Sequence, residues 1–365
     1  MGGGAWLLAA ALLLPGEASA CGTPPVKVGE ISVLGQLSPN RGCELFKKAS
    51  GTPRLLVDIK PGFGSSEPKE LTAFRGLVYF SADDGKIGRE LWRTDGTAEG
   101  TTVIEIFPGI SGSFPEQLEV VGDTLFFSAQ GASIGRELYK LTADKPELVV
   151  DIRPGKPGAT PSELTERGGT LYFFANDGKH GYELFQSDGT PAGTRMLRDI
   201  RKGPGKGSEP FGLLSTDLGL FFTADDGETG RELWRSDGSE AGTLRVFDID
   251  PGRGSGAPQN LTPSGKLIYF TARDRDHGLE PWLTDGTAEG TRLIKDLEPG
   301  KEGSTPTNLS PQSPGLVFRA CVAKQCKLWQ SDGTAANTKL FGATKKAAAP
   351  DAEAEPAKSE KPGAP

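Results

Sequence analysis

Apolar residues along this chain come in short runs of consecutive bulky side chains. Leu77-Val78-Tyr79-Phe80, Leu125-Phe126-Phe127 and Leu171-Tyr172-Phe173-Phe174 are examples, each followed within two residues by Ala82, Ala129 or Ala175. In an extended strand, neighbouring side chains point to opposite faces, so such a run puts bulk on both sides of its sheet. The same holds for Leu91 and Trp92. A two-layer sandwich would leave one of those faces in water; a sheet apolar on both faces is covered on both. Between the runs lie segments such as 83–88 (Asp-Asp-Gly-Lys-Ile-Gly) and 95–100 (Asp-Gly-Thr-Ala-Glu-Gly), rich in turn-forming residues. No segment shows helical spacing. The pattern predicts many short strands joined by tight turns.

The runs recur with a fixed period. A Glu-Leu-aromatic triplet starts at Glu44, Glu90, Glu137, Glu183 and Glu232, with variants at Glu280 (Glu-Pro-Trp) and Lys327 (Lys-Leu-Trp). Successive starts are 46, 47, 46, 49, 48 and 47 residues apart. Downstream comes Asp-Gly-Thr or Asp-Gly-Ser at Asp95, Asp188, Asp237, Asp285 and Asp332. A further run then ends at Asp58-Ile59, Asp151-Ile152, Asp248-Ile249 or Asp296-Leu297, just before Pro-Gly. Each unit reads as four strands; in the second unit these are 69–73, 77–82, 90–94 and 101–106. One unit of about 47 residues cannot hold a core alone. Four-stranded sheets stacked face to face around an axis cover one another.

The expected fold class is therefore all-β, a seven-bladed β-propeller of four-stranded blades, closed so that no face is bare. The blades fall at about 27–58, 59–105, 106–151, 152–199, 200–248, 249–296 and 297–343. The first unit is degraded. Ile31-Ser32-Val33 fills its second strand, 44–46 its third and 54–58 its fourth, and no first strand is recognisable. Six blades plus an N-terminal flap is the alternative.

The repeat Glu-Leu-Trp-x-x-Asp-Gly-Thr resembles the ELWxxDGT repeat family of bacterial, especially myxobacterial, exported proteins. Residues 90–97 match it in full and 232–239 miss only the last residue. The resemblance covers about residues 43–341. The first and third units depart from it, with Ala49-Ser50-Gly51 and Thr142-Ala143-Asp144 in place of Asp-Gly-Thr. It implies a propeller-like tandem array and export, and no particular activity.

Both ends differ from the repeats. Residues 1–20 read as a secretory signal: Ala5–Leu14 is apolar but too short for a spanning helix, and Ala18-Ser19-Ala20 is a small-residue cleavage site. Export to the periplasm, cell envelope or medium is expected. Cys21 follows the cleavage site, so it would be the lipid anchor of an outer-membrane lipoprotein if lipidated; Ala18, however, stands where a lipobox carries Leu. Residues 344–365 hold four Lys, four acidic residues and no aromatic residue, which predicts a disordered tail. No segment reads as a transmembrane span. The net charge of −7 provides no basic surface for a nucleic acid backbone. The 51 Gly follow no G-X-Y period, which excludes collagen.

Candidate chemistry is sparse. Asp83 and Asp84, Asp177, Asp225 and Asp226, and Asp274 and Asp276 lie between second and third strands. Such loops suit Ca²⁺, but they lack the Asp-x-Asp-x-Asp-Gly spacing with a distal Glu, and turn formation accounts for them. No cofactor is expected; Ca²⁺ is the one these loops would take. The repeated Glu could form a ligand ring, although recurrence in every unit marks a scaffold position that pairs with a neighbouring blade or caps a loop. His180 and His277 occupy a position that Ile87, Ile134 and Thr229 also fill, which predicts surface turn residues and yields no Ser-His-Asp set. Trp92, Trp234, Trp282 and Trp329 suit packing between blades better than a sugar platform.

The four cysteines bear on compartment. Cys321 and Cys326 flank a shortened hairpin in the last unit, which predicts a disulfide. Cys21 and Cys43 would pin the N-terminus to the first blade, unless Cys21 is lipidated and Cys43 stays a thiol. The spacings do not give the two close pairs of a Zn site. The sequence thus points to a monomeric, non-enzymatic exported scaffold that binds a protein or glycan through loops at one rim. The alternative is a hydrolase or lyase with a central-channel site.

Overall fold

The structure, a computed structural model, describes residues 23–143 and 145–342. Its 28 strands form seven four-stranded antiparallel sheets, with the strands of each sheet side by side in chain order. The sheets span 26–57, 69–104, 116–150, 162–198, 211–247, 259–293 and 307–340, one for each repeat. The molecule is a seven-bladed β-propeller. The signal segment, Cys21 and the tail from 344 lie outside the described residues.

One expectation about blade 1 is corrected. Its first strand exists, as Val26–Val28 paired antiparallel with Ile31–Ser38. At three residues it is shorter than the five- and six-residue first strands of the other blades, too short to show a repeat pattern. With it the sheet is complete, and the six-blade alternative falls.

The double-sided strands pack as their pattern requires. Phe80 lies opposite Trp92, and Ser81 opposite Leu91. Val78, Phe80, Ala82 and Trp92 face the preceding blade and pack with its Val33, Leu45 and Leu56. Tyr79 and Leu91 face the following blade and meet Leu125, Phe127, Ala129 and Tyr139. Equivalent apolar clusters join blades 3 to 4, 4 to 5, 5 to 6 and 6 to 7. Each fully buried Leu or Phe contributes about 1.5–3 kcal/mol through removal from water. The repeated aromatic belongs to these interfaces, and the indole N–H groups of Trp92 and Trp234 donate to the Ala82 and Ala224 carbonyls.

The expectation that every face is covered holds at six junctions and fails at the seventh. No apolar cluster among the described residues joins blade 7 to blade 1. On the face of blade 7 that points away from blade 6, Leu328 is 51% exposed, whereas Leu45, Leu91, Leu138, Leu184 and Leu233 at the same repeat position are fully buried. Arg319, opposite Leu328, is exposed where Ser81, Thr223 and Thr271 are buried.

The first strand of each blade lines the axis. In blades 2 to 7 its second residue adopts a left-handed backbone and the ladder shifts there: Glu70, Gln117, Glu163, Gly212, Asn260 and Asn308. Gly212 shows the requirement, since glycine enters this region without steric cost. These bulges turn side chains sideways onto the next inner strand. The Gln117 Oε1 accepts the Glu163 N–H at 3.0 Å, and the Glu163 carboxylate accepts the Leu213 N–H at 2.6 Å.

Candidate functional site

Up-down strand order puts two kinds of loop on each rim. One rim carries the second-to-third-strand turns together with the crossovers to the next blade. The other carries the first-to-second-strand turns and the Asp-Gly-Thr turns.

On the second of these rims the chemistry is structural. Asp95 Oδ1 accepts both the N–H and the hydroxyl of Thr97, and the Thr97 hydroxyl in turn accepts the Gly100 N–H. The same arrangement recurs at Asp188, Asp237 and Asp285, and the hydrogen bonds hold these carboxyls below their ordinary value. The turn also receives the blade before it. Lys47 donates to the Gly96 carbonyl, Lys140 to Gly189 at 2.9 Å, Arg235 to Gly286 at 2.8 Å and Arg292 to Gly333 at 3.1 Å. Among the described residues no blade 7 side chain donates to blade 1, whose unit lacks Asp-Gly-Thr; the third unit lacks it too, although Arg75 of blade 2 donates to its Thr142 carbonyl.

On the crossover rim the repeated Glu is a buried cap for the outgoing loop. Glu183 accepts the Arg201 N–H, the Ser208 N–H and the Ser208 hydroxyl, the last at 2.7 Å. Glu44, Glu90 and Glu280 likewise accept N–H groups and a Ser hydroxyl of their own crossovers, and Glu137 and Glu232 accept N–H groups alone. All six are fully buried. Burial pushes the carboxyls of Glu137, Glu183 and Glu232 up to about 7, against the pull of the donated N–H groups. Lys327 stands at this position in blade 7, after which no crossover lies among the described residues.

The acidic turns behave as turns. Asp84, Asp177, Asp226 and Asp274 each accept backbone N–H groups two and three residues on. His180 and His277 place Nδ1 against Asp177 and Asp274, at 2.7 and 2.8 Å. No group of three or more His, Cys, Asp or Glu among the described residues is placed to hold a metal ion. Asp58, Asp151, Asp199, Asp248 and Asp296 each keep one carboxylate oxygen buried without a partner among those residues.

Cys321 and Cys326 form a disulfide across the last hairpin, directly opposite each other in the ladder. It clamps a two-residue turn in which Ala323 and Lys324 both have positive φ, conformations that Gly and Asn adopt more easily. Cys43 is also disulfide-bonded. Cys21, the remaining cysteine of the sequence, lies outside the described residues.

What breaks the repeat lies on the crossover rim at blades 1 to 3. The crossover apexes carry Lys156, Arg253 and Lys301 in later blades but Phe63 and Ile110 in the first two. Phe63 is 89% exposed and Ile110 85%, the two most exposed large apolar side chains among the described residues; Phe114 follows on the same crossover at 45%. Ile110 and Phe114 border a cleft of about 850 Å³. Its charged walls pair internally: Lys60 with Asp83 at 2.7 Å, Lys69 and Arg89 with Glu67 at 3.3 and 3.4 Å. Burial would raise the Asp83 carboxyl, but Lys60 and the Gly85 N–H outweigh it, and Asp83 sits below its ordinary value. Glu70 and Gln117, from two adjacent inner strands, also border the cleft. Aligning the crossovers of the repeats would have exposed Phe63 and Ile110 as departures.

A second departure is Glu119, on the inner strand where other units carry Thr72, Thr165, Thr262 or Ser310. Its carboxylate accepts the Glu166 N–H at 3.0 Å. Burial, then the neighbouring Glu166 charge, raise it, and that N–H opposes them.

The geometry defines a seven-bladed propeller with a cleft on its crossover rim at blades 1 to 3. No protein-family model matches the chain, and no curated protein matches it. Solved structures similar to it include a prolyl endopeptidase, 13% identical over 87% of this chain and 49% of that one, with a TM-score of 0.48. A puromycin hydrolase is 13% identical over 89% and 55%, with a TM-score of 0.47. An acylaminoacyl peptidase of Pyrococcus horikoshii is 9% identical over 87% and 52%, with a TM-score of 0.41. The chain spans about half the length of each. The hydrolytic activities belong to those proteins, and at these values the similarity carries no inference about activity.

Proposed function

We propose that the chain is an exported, non-enzymatic binding scaffold of the ELWxxDGT type, which takes a protein or glycan partner at the crossover rim of blades 1 to 3. The observation that supports this most is the exposure of Phe63 and Ile110 at apex positions that are basic elsewhere. Large apolar side chains left in water beside a cleft are a recurring mark of interaction sites. The Cys321–Cys326 disulfide supports export, since such bonds persist in oxidising compartments.

The test compares three immobilised proteins, wild type, Ile110→Arg and the opposite-rim Thr97→Arg, against cell-envelope extract and a glycan array. The reading predicts ligands retained by wild type and Thr97→Arg and lost by Ile110→Arg. Retention of nothing, or loss only with Thr97→Arg, would contradict it. The hydrolase or lyase reading has one observation in its favour, the raised and blade-specific Glu119. It predicts turnover of an ester, peptide or glycoside panel that Glu119→Gln abolishes.

A further inference from the structure

Resting on that reading of the rim, we propose that its ligand is an extended polypeptide segment of a partner protein. The segment lies in the cleft of blades 2 and 3 and seats a bulky apolar side chain against Ile110 and Phe114.

Three features of the cleft select this chemistry. The first is its apolar border. Ile110, at a crossover tip, is almost fully exposed and borders the cleft with Phe114, and Phe63 is as exposed at the tip of the preceding crossover, whose Lys60 and Glu67 line the cleft. A sugar site wants a flat aromatic face with polar groups converging around it; the most exposed apolar group on the cleft is the aliphatic Ile110, and Phe114 is the one ring on its lining. An apolar side chain of a polypeptide gains from either surface.

The second is charge. Lys60, Lys69 and Arg89 are answered by Asp83 and Glu67 within the cleft. A ligand of one sign, such as a phosphate or an anionic polysaccharide, meets as many like charges as opposite ones. Two charged cleft groups make no hydrogen bond or ion pair through their side-chain tips among the described residues: the Lys86 ammonium and the Glu70 carboxylate. They have opposite signs, and a polypeptide supplies a partner for each from its own acidic and basic side chains.

The third is backbone. The inner strands Lys69–Phe74 and Glu116–Val121 are edge strands of their sheets, and both reach the cleft. An edge strand offers N–H and C=O groups to an added strand. Between blades 3, 4 and 5 that edge is bridged by Gln117, Glu119 and Glu163 side chains from the blade before. Among the described residues no such bridge reaches blade 2 or blade 3, the two blades whose inner strands border the cleft, nor blades 6 and 7.

The experiment selects a phage-displayed random octapeptide library on the intact oxidised protein and measures the recovered peptides, synthesised, by fluorescence anisotropy. The expected peptides carry a bulky apolar residue flanked by both charges. Their affinity falls roughly tenfold or more in Phe63→Ser/Ile110→Ser, about 1.4 kcal/mol or more. It is unchanged in Arg253→Ser, on a later crossover. Glu70→Lys weakens binding, and reversing the basic residue of the peptide restores it. The four substitutions alter solvent-exposed or cleft side chains, and an unchanged melting temperature shows that each variant is folded. No enrichment over the Phe63→Ser/Ile110→Ser protein, or equal affinity for it, overturns the polypeptide proposal. If a glycan array instead finds a ligand that the same double variant loses, the rim reading stands and the polypeptide proposal falls. If neither probe finds a ligand sensitive to the double variant, both fall.

Discussion

The six junctions inside the array and the seam between blade 7 and blade 1 are built from the same repeat, yet they differ in every device that joins blades. Inside the array a buried Leu, or Pro281 in blade 6, stands against the next blade, a buried Glu caps the crossover, and cross-blade hydrogen bonds secure the opposite rim. At the seam the Leu is half exposed as Leu328, the Glu is Lys327, and no hydrogen bond crosses among the described residues. What differs is the covalent chain. Among the described residues a crossover links each of the other six pairs of neighbouring blades and none links blade 7 to blade 1, so no connection there has buried polar groups to satisfy. Sequence drift at Lys327 falls where no described crossover needs a cap, whereas the loss of Asp-Gly-Thr at Ala49-Ser50-Gly51 recurs inside the array in the third unit.

Paired substitutions at equivalent positions sharpen this contrast. Leu184→Ala should cost about 2–5 kcal/mol in denaturant unfolding, as large-to-small changes in a packed interior do. Leu328→Ala should cost less than about 1 kcal/mol. Equal costs would show that the seam is packed like the rest. Glu183→Ala orphans two N–H groups and a hydroxyl, and should cost about 2–4 kcal/mol. Lys327→Ala should leave stability unchanged.

The buried caps also give the array a pH dependence. The carboxyls of Glu137, Glu183 and Glu232 lie at about 7 in the folded chain, against an ordinary 4.5. The folded state therefore holds protons that the unfolded chain has released. Their contribution is full below about pH 4.5 and is lost as pH rises through 7. The melting temperature should fall between pH 5 and pH 8, and Glu183→Gln should remove roughly a third of the slope that the three groups supply. A rise over the same interval would mean that these carboxylates are held ionised. The smallest effect is expected for Lys140→Ala, which removes one half-buried cross-blade hydrogen bond worth about 0.5–1 kcal/mol. Gln330→Ala, its counterpart beside the seam, should change nothing measurable.

Much of the scaffold was legible because each repeat states the same local chemistry again. Double-sided runs required neighbours on both faces, and Asp-Gly turns marked the strand ends. The partners of the Glu caps were not legible, since Ser66 and Ser208 lie more than twenty residues downstream and only the folded crossover brings them back. The left-handed bulges were hidden at Glu70, Gln117 and Glu163, which do not announce positive φ; only Gly212, Asn260 and Asn308, residues that enter this region more easily, hinted at it. Val26–Val28 was too short to carry a period. The cleft escaped for the opposite reason. Phe63 and Ile110 are informative only as exceptions, and a search for what recurs passes over them.

Amide hydrogen exchange on the intact oxidised protein tests most directly whether the wheel has one weak junction. Blade 7 strands Gln325–Ser331 and Lys339–Leu340, together with blade 1, should exchange before the second and third strands of blades 3 to 5. Uniform protection around the ring, or opening that starts in blades 3 to 5, would contradict the account.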